Sequence, residues 1–197
     1  MKKPVTIGVF CGSSSGTGPQ YLEAAKRFGT LVGENGFRFL FGGGRLGLMG
    51  ESAIAAYEAG ARVLGIMPEF LRHIEPPLKS AQEETIFVSS LFDRKKMMTE
   101  RSDAFVILPG GLGTLDEFFE VLVGAQLLVH QKPIVLVNLD GYYDPLVDLV
   151  EHVIAFGFAG PAATGLYTVV ATPDDAMAVL KAQLARQPPL AESALPD

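Results

Sequence analysis

Three glycine-rich stretches hold the residues best suited to chemistry in this chain of 197 residues. The first is GVFCGSSSGTG, with Gly8, Gly12, Gly16 and Gly18 around Ser13–Ser15. The second is FGGGRLGLMG, from Phe41 to Gly50, and the third is PGGLGTLDE, from Pro109 to Glu117. Together they take more than half of the 22 glycines. Glycine permits positive φ and lets a ligand approach the main chain. A helix opening just beyond such a turn presents unpaired N–H groups and a partial positive charge, which together bind phosphate. Three such turns gathered in one place would make a phosphate or nucleotide site. The second stretch also satisfies G-x-G-x-x-G through Gly42, Gly44 and Gly47, the dinucleotide fingerprint. That motif follows the second expected strand instead of the first, and Glu69 is only loosely available as the ribose-binding acid. The P-loop pattern, with Lys after the last glycine, is absent.

Within the third stretch, Thr114 and Glu117 stand three apart at an expected helix start. Their spacing fits a capping box, in which Thr114 caps the helix and Glu117 reaches back to the N-cap amide. It also fits a carboxylate kept ionised beside a phosphate turn by the helix dipole. Asp116 and Glu120, one turn apart, read as solvated. Upstream, Ser90-x-x-Asp93 is a second capping box, followed by Arg94, Lys95 and Lys96. Cations at a helix start oppose the macrodipole. An Arg there could pair with a phosphate or offset charge on a leaving group. Met97 and Met98 pack in the core or line a base pocket. Cys11 is the only cysteine, so neither an intramolecular disulfide nor a Cys-based zinc site is expected. His73, His130 and His152 are scattered, and no metal or cofactor is expected.

These residues need elements to position them, and the hydrophobic pattern supplies a regular alternation. Strands are expected at Val5–Phe10, Phe37–Phe41, Arg62–Met67, Thr85–Val88, Ala104–Leu108, Pro133–Asn138 and Tyr167–Ala171. Helices are expected at 19–33, 48–59, 91–101, 114–129, 142–156 and 173–186. Strands apolar on both faces, each followed by a helix, predict an α/β fold: a Rossmann-like, doubly wound parallel sheet covered on both faces. Its ligand sites lie beyond the carboxyl ends of the strands, where all three glycine stretches fall. Residues 1–186 read as one domain, and 187–197, Pro-rich and polar, as a flexible tail. Glu69–Glu84, with Pro76-Pro77, is a long irregular loop suited to a lid or a surface excursion. Helix 114–129 is apolar almost all round and must be buried, in the core or between subunits.

Charge and composition narrow the partners. The net charge is −6, with 16 basic against 22 acidic residues, and there is no basic run, so nucleic acid is not an expected ligand. Residues 1–16 resemble a signal peptide but carry Pro4 and Gly8 and no A-x-A site, and read better as a first strand. Residues 153–173 carry no charge, yet their glycines and prolines read as helix end, loop and strand, not as a membrane span. The expected location is the cytoplasm.

With FGGGRLGLMG, DRKKMM and PGGLGTLDEFFE in this order, the chain resembles the Lonely Guy family of cytokinin-activating phosphoribohydrolases. VFCGSS at Val9–Ser14, GIMPEFL at Gly65–Leu71, AQLLVHQKP and the GYYDPL segment from Gly141 extend the likeness over nearly the whole length. The resemblance implies a hydrolase that cleaves the N-glycosidic bond of adenosine 5′-monophosphates, AMP or N6-prenyl-AMP, to free base and ribose 5-phosphate. It places the catalytic pair on Arg94 and Glu117. Gly110, Gly111, Gly113 and Thr114 would cradle the 5′-phosphate, with Ser13, Ser14, Gly43 and Gly44 closing the other side. Lys95 and Met97 are further substrate-binding candidates. A homodimer with the site near its interface is the assembly implied. Two departures bear on substrate preference: Leu91-Phe92 stands where the family carries Met-His, and Thr164 where many members have Arg. The alternatives are a molybdenum-cofactor or nucleotide carrier of the same superfamily, and an NAD-linked enzyme using Gly42–Gly47.

Overall fold

A computed structural model of the chain describes residues 4–74 and 83–186. The described residues form seven strands in one sheet: β1 (Thr6–Phe10), β2 (Arg38–Phe41), β3 (Val63–Pro68), β4 (Glu83–Val88), β5 (Ala104–Ile107), β6 (Ile134–Val137) and β7 (Thr168–Val170). Six α-helices alternate with them: α1 (Pro19–Glu34), α2 (Gly47–Glu58), α3 (Leu91–Arg101), α4 (Leu112–Gln126), α5 (Asp144–Ala155) and α6 (Pro173–Arg186). Every neighbouring pair is parallel, in the order β4-β3-β2-β1-β5-β6-β7. This is the doubly wound sheet expected from the alternation of buried strands and helices.

The period-two geometry of the strands sorts their side chains into two cores. Phe39, Phe41, Val106 and Val135 face one side, with Phe28 and Val32 of α1 and Leu180 of α6. Leu40, Ile66, Phe105 and Ile107 face the other, with Met98 of α3 and Phe118 and Val121 of α4. A strand buried on both faces has no polar alternation to show, which is why β1, β5 and β6 read as continuous apolar runs.

The chain progresses outward from β1 in one direction through β2, β3 and β4, and from β5 in the other through β6 and β7. The reversal lies between β1 and β5, which pair with Val9 opposite Val106. Loops leaving these two strands diverge to opposite faces and open a crevice at the carboxyl edge, where such folds bind ligands. The first and third glycine stretches are the two loops that flank it.

Boundaries differ from the expected ones by a few residues, with three instructive cases. The helix expected at 114–129 spans Leu112–Gln126, and Leu128 turns to φ 59°. The loop expected at Glu69–Glu84 opens as a 3-10 helix, Glu69–His73, and β4 begins at Glu83; Pro76-Pro77 lies outside the described residues, as does the tail from Gln187. The uncharged run 153–173 divides among the end of α5, a 3-10 helix at Pro161–Leu166 and β7. No helix among the described residues is long and apolar enough to cross a membrane.

Candidate active site

The three glycine stretches meet at the crevice. A Cβ on Gly47, which sits at φ 59°, would collide with the Ser13 carbonyl, so only glycine lets the second loop lie against the first. The Met49 amide donates to the Gly12 carbonyl at 3.0 Å, and the Leu48 amide to the Ser14 carbonyl at 3.4 Å. The N-terminus of α2 is thereby satisfied by the β1 loop. Those are the amides a dinucleotide pyrophosphate would need, so the Gly42–Gly47 fingerprint is spent on packing. Gly43 and Gly44 are buried, with Gly43 at φ 86° against Met67 of β3. Ser13 and Ser14 are exposed, and Ser14 Oγ accepts from the Gly16 amide at 3.4 Å.

The third loop is arranged differently. The N-cap of α4 is Gly111, and no side chain caps the helix. Thr114 is therefore the third residue of the helix and Glu117 lies a turn further on, so the pair is not a capping box. The reason is local: the helix opens three residues earlier than the Thr-x-x-Glu spacing suggests. Thr114 is buried and its hydroxyl occupies the place a Cβ on Gly110 would take, while the Gly12 amide lies 2.8 Å from that same point. A Cβ on Gly111 or Gly113 would meet nothing within 4 Å. Internal packing does not require glycine at these two positions; they leave the open amides of α4 accessible. A cavity of about 290 Å³ lies in front of them, lined by Gly12, Ser14, Thr17, Tyr21, Gly110, Gly111 and Tyr142 among others.

Glu117 is 8% exposed and meets Arg94, whose Nη2 lies 3.3 Å from Glu117 Oε1. The capping box expected at Ser90-x-x-Asp93 sets up this contact. Ser90 Oγ accepts from the Asp93 amide at 3.0 Å, and the Ser89 and Ser90 hydroxyls donate to the Asp93 carboxylate. Those hydroxyls hold the Asp93 carboxyl below its ordinary range. With α3 opened at that point, Arg94 turns inward to Glu117 and lies against Gly42. Its Nε is buried without a hydrogen-bond partner. A guanidinium with an unused buried donor beside a buried carboxylate can hold an anionic or polar ligand and a water in one place.

The neighbouring residues are committed elsewhere. Lys95 bridges Asp116 and Glu120 of α4, each at 3.1 Å; burial lowers its pKa, but those hydrogen bonds and charges outweigh burial and raise it. Asp116 and Glu120, expected to be merely solvated, are its partners. Met97 is half-buried against the second core and Met98 lies fully within it. Thr164 Oγ1 donates to the Pro161 carbonyl at 3.1 Å. Cys11 is buried, its thiol pushed up to about 12 chiefly by desolvation, so it is no nucleophile. Among the described residues no group of three or more His, Cys, Asp and Glu could hold a metal ion.

Tyr142 and Tyr21 line the cavity but are absent from the residues expected to bind substrate. The signal for Tyr142 was available: Gly141-Tyr142-Tyr143 follows the carboxyl end of β6, the strand next to β5. Tyr21, one turn into α1, carries no comparable sequence mark.

A parallel doubly wound sheet with an open helix N-terminus at its switch point defines the class, a Rossmann-like fold built to bind a phosphorylated ligand. Comparisons with known proteins agree. The family model described as possible lysine decarboxylase matches residues 49–180. A cytokinin riboside 5′-monophosphate phosphoribohydrolase of Rhodococcoides fascians is 38% identical over 178 residues, 90% of each chain. One from Arabidopsis thaliana is 42% identical over 157 residues, 80% of this chain and 72% of that protein. The molybdenum cofactor binding protein of Rippkaea orientalis shares the fold, with TM-score 0.72 at 23% identity over 93% of this chain and 99% of its own. The chain belongs to the Lonely Guy family, the phosphoribohydrolase family that this family model covers.

Proposed function

We propose that the protein hydrolyses the N-glycosidic bond of adenosine 5′-monophosphate or an N6-prenylated derivative, releasing the free base and ribose 5-phosphate. The observation that carries this reading is the Arg94–Glu117 pair at 3.3 Å, a buried carboxylate against a part-buried guanidinium, one helical turn from the uncapped start of α4. The phosphate would bind the open amides at Gly111–Thr114, with the β1 loop at Ser13 and Ser14 on the opposite wall. That leaves the sugar carbon toward the carboxylate. As the carbon–nitrogen bond breaks, its electron pair goes to the base nitrogen and the sugar carbon becomes oxocarbenium-like. Glu117 stabilises that cation and accepts a proton from the water whose oxygen bonds the sugar carbon; the departing purine takes a proton from solvent, and Glu117 returns its own to solvent. Arg94 offsets charge building on the departing purine. Such a site needs a carboxylate and a cation in a place poor in water, and a buried Glu117 beside a largely covered Arg94 supplies it.

A decarboxylase acting through a lysine Schiff base is disfavoured. The amine must be neutral to attack, and Lys95, the lysine beside the site, is held protonated by two carboxylates. The carrier reading rests on a shared fold alone.

Adenine released from AMP and from N6-isopentenyl-AMP by wild type, Arg94→Ala and Glu117→Ala tests the proposal. Release by wild type and its loss in both variants is the expected result. No release from either nucleotide refutes the enzyme. A homodimer is the proposed assembly, supported by Phe92, Val123, Leu127 and Val129, which border a groove of about 530 Å³ beside α3 and α4 and are 46–74% exposed. Apolar area of this kind buries well between subunits. A monomeric mass by light scattering at micromolar concentration refutes it. With a single thiol, deeply buried, the protein suits the reducing cytoplasm.

A further inference from the structure

The turn between β5 and α4 carries three consecutive main-chain carbonyls, and each accepts a hydrogen bond from another part of the protein. The Leu108 carbonyl accepts the Tyr143 phenol at 2.8 Å. The Pro109 carbonyl accepts the Gly12 amide at 3.1 Å. The Gly110 carbonyl accepts the Tyr142 phenol at 2.6 Å. With each carbonyl held toward its donor, the turn meets an approaching anion with the N–H groups at the uncapped start of α4. A carbonyl released into the cavity would do the opposite, setting a partial negative charge against the phosphate.

The two phenols come from one built segment at the carboxyl end of β6. Asp140 at φ 51° and Gly141 at φ 74° turn the chain back. Asn138 then fixes the return: its Oδ1 accepts the Tyr143 amide at 2.6 Å, and its Nδ2 donates to Asp144 at 2.7 Å. Tyr143 is buried, so its loss would also disturb the core. Tyr142 is 42% exposed, its ring edge-on to Tyr21 at 5.7 Å, and its hydroxyl donates to the Gly110 carbonyl.

We infer that Tyr142 is a positioning residue for the phosphate turn: its phenol holds the Gly110 carbonyl so that the turn presents N–H donors to the ligand's 5′-phosphate. The inference deepens the proposed function and rests on it for the ligand's chemistry. It predicts that loss of the hydroxyl is felt by the phosphate and not by the base or the bond-breaking step.

The test is Tyr142→Phe, with three readouts. Calorimetry with ribose 5-phosphate should show affinity about five- to tenfold weaker than wild type, as for one lost hydrogen bond. Steady-state kinetics with AMP should show KM raised by the same factor and kcat within about twofold. Inhibition by free adenine, which has no phosphate, should be unchanged. Unchanged ribose 5-phosphate affinity, an equal loss for adenine, or a fall in kcat at constant KM overturns the inference. A crystal structure of wild type with ribose 5-phosphate should keep the phenol on the Gly110 carbonyl, and a phenol moved onto the phosphate overturns it too. Wild type that binds ribose 5-phosphate without releasing adenine from AMP refutes the hydrolase but leaves calorimetry to judge Tyr142. Wild type that binds no ribose 5-phosphate at millimolar concentration refutes both.

Discussion

Removing either member of the Arg94–Glu117 pair should lower both stability and activity, and removing both should restore stability alone. The two side chains are 14% and 9% exposed and 3.3 Å apart. Arg94→Ala takes the counter-charge away from a carboxylate that stays largely out of water. Breaking a buried pair in this way costs about 3–5 kcal/mol. Some water reaches both groups, and the buried Arg94 Nε, which has no acceptor, is relieved by its removal, so about 2–3 kcal/mol is expected here. At about 2–4 °C per kcal/mol for a chain of this size, Tm should fall by roughly 4–12 °C. Glu117→Gln keeps the shape but leaves the Arg94 guanidinium, 14% exposed and always charged, without its counter-charge, and should cost about 1–3 kcal/mol. The double variant should recover most of the Arg94→Ala loss, because neither charge is then left without the other. Adenine release should respond differently, falling about 10²–10³-fold in Glu117→Gln and staying low in the double variant, whose Tm recovers. Thermal denaturation of the four proteins together with adenine release at saturating AMP measures both effects. Additive Tm changes, or Arg94→Ala as stable as wild type, would refute the electrostatic argument.

Three further outcomes follow from the same geometry. Gly110→Ala places a Cβ on the Thr114 hydroxyl and 2.8 Å from the Gly12 amide; it should cost about 1–3 kcal/mol and raise KM for AMP, while an unchanged KM would remove the turn from the binding site. The Cys11 thiol, raised from its usual 9.0 to about 12, has a thiolate fraction at pH 8 lowered roughly a thousandfold; a disulfide reagent should titrate it in denaturant and not in native protein within minutes. The Asp93 carboxyl is depressed by its serine partners, so its contribution to the α3 cap is present above the ordinary carboxylate pKa of about 3.9 and lost as pH falls below that value. Accordingly, the Tm gap between wild type and Asp93→Asn should be constant near neutral pH and close as pH falls below about 4. A gap that persists in acid contradicts the cap.

Much of the molecule was legible because its signals are local. β1, β5 and β6 announce themselves as apolar runs, α3 by Ser90 and Asp93, and α6 by its Pro173 start. A boundary is misplaced where capping-box spacing is not used as a cap. α4 is the clear instance: Thr114 and Glu117 have capping-box spacing, but Gly111 is the N-cap. Lys95 shows the other limit. Three adjacent cations, Arg94, Lys95 and Lys96, are equivalent by composition, and only the helix phase sends one to Glu117, one to Asp116 and Glu120, and one to solvent.

The sequence by itself determined the parallel sheet and the placement of the glycine stretches at strand ends. These depend on periodicity and on short-range spacing, which a chain carries whether folded or not. Tertiary structure alone decided which glycines serve a ligand and which serve packing. Gly47 is needed because Ser13 lies against it, and Gly111 and Gly113 stand out because nothing lies against them. It also decided that the phenols of Tyr142 and Tyr143 reach the carbonyls of Gly110 and Leu108, more than thirty positions away. Such contacts are set by the order of strands in the sheet. That order places β6 beside β5, and local propensity has no means of expressing it.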